Sequence, residues 1–341
     1  MKKTKIAING AGRIGRAFLK AAWGRPEVEI VAMNDLTSID NIAYLLKYDS
    51  VYGISDLDIK VEDGNLVING ETVRYVSEKD PKTLPWKELE VDVVVESTGF
   101  FTDYTAARAH IEAGAKKVVI SAPAKGAPAD ATEGMVLLSI NCDTLKEKVV
   151  SSNASCTTNA SSPVVAILNE TLGIEKAILN TTHAYTASQA LVDAPSKKDM
   201  REGRAAAINM VPASTGAAKA LGQIITDIDG KFDGISVRVP VVAGSLADIT
   251  FISKKDTTVE EVNQILRDAA KTKRWEGIFQ ATDEELVSRD IIGNIHASIA
   301  DLSMTRVVGG NLVKVLAWYD NERGYTETLV RHVIKTGQFL K

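Results

Sequence analysis

Short apolar runs alternate with amphipathic stretches through the first half of the chain. Lys5 to Asn9 reads as a short apolar strand, Arg13 to Trp23 carries apolar residues at helical spacing, and Val28 to Met33 is a second strand ending at Asn34-Asp35. Strand, helix and strand in that order make a β-α-β unit. Val91 to Glu96 reads as a buried parallel strand, followed by a turn at Ser97-Thr98-Gly99, a helix from Ala106 to Ala113 and a strand from Lys117 to Ser121. Residues 1–155 are therefore predicted to form a doubly wound α/β domain. Beyond a helix that begins near Cys156 the pattern changes. β-rich stretches at Ala177 to Thr182, Gly234 to Pro240 and Ala247 to Ser253, with helices at Val259 to Ala270 and Glu327 to Thr336, predict an α+β domain over residues 156–321. The closing segment 322–341 is expected to pack back on the first domain. Between His183 and Val211 the strand character is weak, which predicts a long ordered loop, and loops of that length are usually functional.

Composition changes this picture mainly by exclusion. A chain of 341 residues that is 45% hydrophobic and 25% charged is ordinary for a globular protein. Forty Lys and Arg against 44 Asp and Glu give a net charge of -4, so no global field recruits nucleic acid or an anionic membrane. Partners are expected to be small molecules or copies of the chain. The basic Met1-Lys2-Lys3 is followed only by Ile6-Ala7-Ile8, too short for a signal peptide, and no apolar run reaches membrane-spanning length. Two cysteines exclude a disulfide framework. The expectation is a cytoplasmic protein with no metal site.

Gly10-Ala11-Gly12-Arg13-Ile14-Gly15 lies between the first strand and the first helix. In such a motif one glycine permits the tight turn, the next lets backbone approach a pyrophosphate, and the third lets helix pack on strand, so that phosphates meet the helix N-terminus. Glycine turns are common, and the motif alone says little. Asp35, 20 residues past Gly15 at the end of the second strand, stands where a ribose-binding acid is expected. Together they point to a dinucleotide, and the carboxylate favours NAD over NADP.

Cys156 sits in Ser152-Asn153-Ala154-Ser155-Cys156-Thr157-Thr158-Asn159, with polar capping residue types around it and the apolar pattern starting only at Val164. A thiol at a helix mouth faces the dipole and unpaired amides, which are expected to lower its pKa and make it a nucleophile. Most free cysteines are small buried hydrophobes, and Cys142 takes that reading. Of the four histidines, His183 lies just beyond an apolar strand, as a catalytic base does, although a structural role fits as well. His110 and His332 read as surface or packing residues.

These residues bring the chain into resemblance with a family. Over essentially its full length it resembles phosphorylating glyceraldehyde-3-phosphate dehydrogenases, in the segments Ile8 to Arg16, Asn34 to Thr37, Lys47 to Gly53, Glu96 to Phe100, Ser121 to Lys125, Ser155 to Asn159, Pro212 to Lys219, Gly234 to Pro240 and Trp318 to Glu322. The resemblance implies a Rossmann-type domain plus an α+β catalytic domain, with NAD as cofactor and glyceraldehyde 3-phosphate and inorganic phosphate as substrates. It implies Cys156 as nucleophile and His183 as base. Gly10, Gly12, Arg13, Ile14 and Gly15 would meet the pyrophosphate, Asp35 the ribose, Ser121 the nicotinamide side and Asn321 its carboxamide. Lys79 stands at a cofactor position where an arginine is usual. Ser155, Thr157, Thr186, Thr215, Gly216 and Arg238 match positions that hold the two phosphates. Such proteins are usually homotetramers whose long loop reaches a neighbour's cofactor site.

The sequence also departs from that pattern. Ser188 stands where a carboxylate commonly orients the phosphate-binding arginine, and Arg201-Glu202 replaces a pair of arginines. Ala160, Arg323 and Ala194 differ as well. Two other readings therefore stay open: a relative acting on erythrose 4-phosphate or a semialdehyde, and a non-catalytic binding role on the same fold.

Overall fold

Thr4–Asn9, buried at five of its six residues, is the central strand of a nine-stranded sheet. In the computed structural model, which describes residues 2–196 and 199–340, this sheet orders its strands as Glu133–Met135, Val150–Ser152, Lys117–Ile120, Val93–Glu96, Thr4–Asn9, Val28–Asn34, Glu71–Val76, Asn65–Ile68 and Ile59–Glu62. The first seven pair in parallel, and the last two add an antiparallel edge. From Thr4–Asn9 the chain first builds outward through Val28–Asn34 and then returns to place Val93–Glu96 on the other side. That reversal opens a crevice at the carboxyl ends of Thr4–Asn9 and Val93–Glu96, the place where doubly wound sheets take ligands.

The chain divides into two units, one running to Ala154 and resuming at Thr326, the other spanning Ser155–Tyr325. In the second, a seven-stranded sheet orders Val211–Ser214, Phe232–Val239, Ile174–Ala184, Ser245–Ser253, Leu312–Tyr319, Ser298–Val308 and Phe279–Thr282. The helices Cys156–Thr171 and Val259–Ala270 belong to the same unit, and 12 of the 16 residues of Cys156–Thr171 are buried. Among the described residues, the loop predicted between His183 and Val211 has only the 3-10 turn Met200–Gly203 within it; residues 197 and 198 lie outside them.

Several local expectations need correction. The helix expected from Ala106 to Ala113 is two short turns, Tyr104–Ala107 and Ala109–Glu112, the first capped by Asp103, whose side chain accepts from the amides of Thr105 and Ala106. The hairpin strands Ile59–Glu62 and Asn65–Ile68 went unrecognised because their half-exposed alternation is short and charged. Cys142 is not a buried hydrophobe: it is partly exposed, with the Lys335 ammonium 2.8 Å from its sulfur. Of the surface and packing readings open for His110 and His332, packing holds, since both are completely buried.

His332 lies on the last helix, Arg323–Gln338, with Ser151 Oγ 2.9 Å from Nε2 and Asn153 Oδ1 3.0 Å from Nδ1. The amide oxygen can only accept, so Nδ1 carries the proton and Nε2 accepts from the serine. Burial pushes its pKa down from 6.5 to about 3. Between those values the unfolded chain binds a proton that the folded chain refuses, so stability falls as pH drops below about 6.5, by up to about 1.4 kcal/mol per pH unit. His332→Gln should lower the melting temperature at pH 7 yet flatten its decline between pH 6.5 and 4. An unchanged slope would show that His332 does not carry the effect.

Candidate active site

Two constellations emerge, one in each unit. In the first unit a cavity of about 530 Å³ is lined by Asn9, Gly10, Gly12, Asn34, Asp35, Leu36, Glu78, Lys79, Pro81, Ser97, Thr98, Phe100 and Phe101. The glycines divide their work. Gly10 has φ +98°, and a Cβ there would lie 2.7 Å from the Thr98 amide nitrogen. A Cβ on Gly15 would lie 1.9 Å from the Gly10 carbonyl oxygen, so this glycine serves helix-to-strand packing. Apart from its own chain neighbours, Gly12 has no described protein atom within 4 Å of the position its Cβ would take, yet it lines the cavity. The space kept open there fits a ligand approaching the backbone at the start of the helix Arg13–Ala22.

Asp35 is held by its turn: one carboxylate oxygen accepts from the Ala11 amide at 2.7 Å and the other from the Thr37 amide at 2.9 Å. Not every predicted cofactor residue meets the cavity. Lys79 does, whereas Ser121 caps the end of its strand through its amide on the Glu96 carbonyl, and the Arg13 side chain is tied to Asp49 at 3.0 Å. Any role of Arg13 and Ile14 toward phosphate therefore falls to their backbone.

In the second unit, Ser155 begins the helix Cys156–Thr171 as its N-cap, its side chain accepting from the Thr158 amide at 3.0 Å. The thiol at the first helical position lies 3.4 Å from His183 Nε2. His183 is delivered by Ile174–Ala184, whose alternation buries Leu179, Thr181 and His183 together. The neighbouring parallel strand pairs His183 with Arg238, so sheet register sets the guanidinium beside the imidazole. Nδ1 lies 2.7 Å from the Ala184 carbonyl, to which Arg238 also donates at 3.3 Å. Arg238 Nη1, which only donates, also lies 2.5 Å from Nδ1: a proton on Nδ1 goes to the carbonyl and leaves the Nε2 lone pair facing the thiol, whereas an Nδ1 that accepts from the guanidinium puts the proton on Nε2.

The electrostatics correct the expectation of an acidified thiol. Burial pushes the Cys156 pKa up, against the Arg238 charge, the Thr157 hydroxyl and the amides of Thr157 and Cys156. For His183, burial and then Arg238 push the value down from 6.5 to about 3, opposed by the Ala184 carbonyl. Without ligands the pair is a neutral thiol facing a neutral imidazole. Cys156 as a whole keeps partial exposure, but protein packed around the sulfur dominates its ionisation.

Two supporting residues were missed in the sequence. Tyr319, whose hydroxyl lies 3.0 Å from Thr157 Oγ1 and 2.8 Å from Thr181 Oγ1, packs its ring edge-on to His183 at 5.8 Å between centroids. Ser245 accepts from the Ala184 amide and donates to Asn321 Oδ1, which also accepts from the Gly244 amide. Asn321 is thereby oriented with its amide nitrogen as the remaining donor. The segment Trp318 to Glu322 held the only signal for Tyr319, and nothing in the sequence pointed to Ser245. Thr186, Thr215 and Gly216 make local contacts: Thr186 Oγ1 is 3.0 Å from Ser188 Oγ, Thr215 Oγ1 accepts from the Ala217 amide, and Gly216 precedes the short helix Ala217–Gly222. Arg201 pairs with Asp199 at 2.9 Å.

Comparison with known proteins places both parts of the chain in one family. Residues 4–104 match the NAD-binding domain of glyceraldehyde 3-phosphate dehydrogenases and residues 155–321 match their C-terminal domain. Among similar proteins, glyceraldehyde-3-phosphate dehydrogenase of Clostridium pasteurianum is 46% identical over 333 residues, 96% of this chain and 97% of the relative. Glyceraldehyde-3-phosphate dehydrogenase 2 of Synechocystis is 45% identical over 331 residues, 96% of each chain. The Borreliella burgdorferi enzyme is 45% identical over 332 residues, 96% of this chain and 97% of its own. A cavity kept open at Gly12 above an anchored Asp35, a thiol aimed at a histidine, and likeness along nearly the whole chain agree: the chain belongs to the glyceraldehyde-3-phosphate dehydrogenase family and is an NAD-dependent oxidoreductase.

Proposed function

We propose that the chain oxidises glyceraldehyde 3-phosphate to an acyl phosphate, with Cys156 as the nucleophile and His183 as the base. The observation that carries this reading is the 3.4 Å approach of the thiol to an imidazole nitrogen whose other nitrogen is tied to the Ala184 carbonyl. His183 takes the thiol proton as sulfur adds to the aldehyde carbon, and the resulting hemithioacetal oxyanion needs a donor such as the Cys156 amide. His183 hands that proton on to the oxyanion, giving the hemithioacetal hydroxyl, and takes it back as the carbon loses hydride and becomes a thioester on Cys156. Bound NAD⁺ supplies the hydride acceptor. Attack of inorganic phosphate on the thioester releases the acyl phosphate and returns the thiolate.

Two anions must be held near one carbon, and Arg238 with the Thr157, Thr186 and Thr215 hydroxyls and Gly216 supplies the donor types for them. Asp35, Gly10, Gly12, Lys79 and the backbone at Arg13, Ile14 and Gly15 form the cofactor side, with Ser121 and Asn321 assigned to the nicotinamide end. A homotetramer is supported by the loop after His183, which leaves Leu191, Val192, Met200, Ile208 and Met210 exposed in the single chain, Met200 by 89%. Apolar side chains in that number favour cover by a second copy. A cytoplasmic place agrees with a central carbon-metabolism role, and among the described residues no helix is long and apolar enough to cross a membrane.

NADH formation from glyceraldehyde 3-phosphate and NAD⁺, with and without inorganic phosphate, tests the reaction. Many turnovers that require phosphate are expected. Phosphate-independent turnover would mean that water releases the thioester, and faster reaction with erythrose 4-phosphate would favour the relative with that substrate.

A further inference from the structure

Glu96, at the carboxyl end of the strand Val93–Glu96, is 1% exposed and does not line the cofactor cavity. Its carboxylate nevertheless makes four contacts. One oxygen accepts from the amide of Thr98 at 2.8 Å and from the Thr98 hydroxyl. The other accepts from Asn9 Nδ2 at 2.6 Å and meets His110 Nε2 at 3.1 Å.

The direction of every bond in this group is fixed from its ends. The Trp86 indole only donates, and it lies 3.0 Å from His110 Nδ1, so His110 carries its proton on Nε2 and gives it to Glu96. At the other end, Asn34 Oδ1 accepts from the Glu78 amide while Asn34 Nδ2 donates to the Glu78 carbonyl, each at 2.9 Å, and to Asn9 Oδ1 at 2.7 Å. Asn9 therefore has its oxygen toward Asn34 and its amide nitrogen toward Glu96. All four groups around the carboxylate are donors; Asn9 Nδ2 and His110 Nε2, 3.4 Å apart, both give their hydrogens to the one oxygen they share and not to each other, and reversing any bond sets two donors or two acceptors face to face further along. The run of bonds goes from Trp86, which does not line the cavity, to Asn9, Asn34, Glu78 and Thr98, which do.

We infer that Glu96 and His110 are positioning residues for the dinucleotide: they set the Thr98 turn and the Asn9–Asn34–Glu78 wall in the arrangement that binds NAD. Thr98 is bonded onward as well, its hydroxyl accepting from the Phe100 amide at 3.0 Å, so the carboxylate also governs the turn that carries Phe100 along the cavity rim. The two strand ends at the sheet reversal, Asn9 and Glu96, are register partners, which places the hub at the mouth of the ligand crevice.

The test is NAD affinity of the otherwise intact protein, read by calorimetry, beside steady-state kinetics. Glu96→Gln puts an amide donor among four donors, and one unsatisfied buried bond is worth enough to weaken NAD binding on the order of tenfold. The KM for NAD should rise accordingly, while kcat at saturating NAD and the alkylation rate of Cys156 in NAD-free protein stay within about twofold. His110→Leu should behave similarly, whereas His110→Gln, which keeps a donor toward Glu96, should retain affinity. Asn9→Asp alone sets two carboxylates against each other, and adding Glu96→Gln should recover part of the lost affinity, an outcome that tracks bond direction and not side-chain volume. NAD affinity unchanged in folded Glu96→Gln, or equal loss in His110→Gln and His110→Leu, would overturn the assignment. A protein that binds no NAD even in the wild type would instead sink the cofactor reading itself.

Discussion

Cys156→Ser should abolish NAD⁺ reduction, lowering turnover by at least about four orders of magnitude while NAD binding survives. A serine hydroxyl is far harder to ionise than a thiol, and the neighbouring imidazole is pushed down to about 3 by burial and Arg238, so it cannot offset the difference. Nor does a serine ester retain the oxidation energy that a thioester passes to phosphate. The substitution is nearly isosteric, and the N-cap bond of Ser155 is untouched, so the helix Cys156–Thr171 should form as before. Calorimetric titration with NAD and a thermal melt establish that the variant is folded and loaded. A variant that still reduces NAD⁺ with glyceraldehyde 3-phosphate at wild-type rate would remove Cys156 from the reaction.

The neutral state of the resting pair limits what the thiol does before ligands arrive. With burial holding the Cys156 proton on and the His183 proton off, ionisation has to accompany attack on the carbonyl. Positive charge delivered to the sulfur, or negative charge delivered to Arg238, shifts that balance in opposite parts of the pair. On the proposed reading, a phosphate group set against the guanidinium would offset the charge that makes imidazolium costly and make His183 a better base once substrate is in place. Binding energy from the non-reacting end of the substrate is thereby turned to the chemical step.

Much of this was legible in the sequence, for identifiable reasons. The parallel strands announced themselves because both faces are buried and their residues are almost wholly apolar, as in Val93–Glu96. Gly10, Gly15 and Asp35 were legible because each answers a backbone or turn requirement that only that residue type meets. The pairing of His183 with Arg238 was not, since it is set by parallel register between strands 55 residues apart, and register leaves no mark on local periodicity. The thiol was misjudged for a related reason: a helix N-terminus is visible in the capping residues, but the burial that outweighs it depends on what the rest of the unit packs around the sulfur. For His110 and His332 the sequence left surface and packing both open, because local spacing gives no sign of a buried partner such as Trp86 or Asn153.

His183→Asn should slow oxidation by roughly two to four orders of magnitude, the span general-base catalysis commonly supplies, with little change in the KM for NAD. Asparagine fills similar space beside Tyr319 and can keep a bond to the Ala184 carbonyl, but its amide oxygen, although an acceptor, is far too weak a base to take the proton from Cys156. The residual rate should therefore climb with pH, because only thiolate formed without help then reacts, and burial sets that ionisation above the ordinary thiol range. Wild type draws on the imidazole and should be less steep over the same range. Single-turnover rates from pH 6 to 10, started with NAD⁺ already bound, separate the two cases. Parallel profiles would mean that His183 shapes the pocket without moving the proton, and that the 3.4 Å approach of Nε2 to the sulfur is a packing contact.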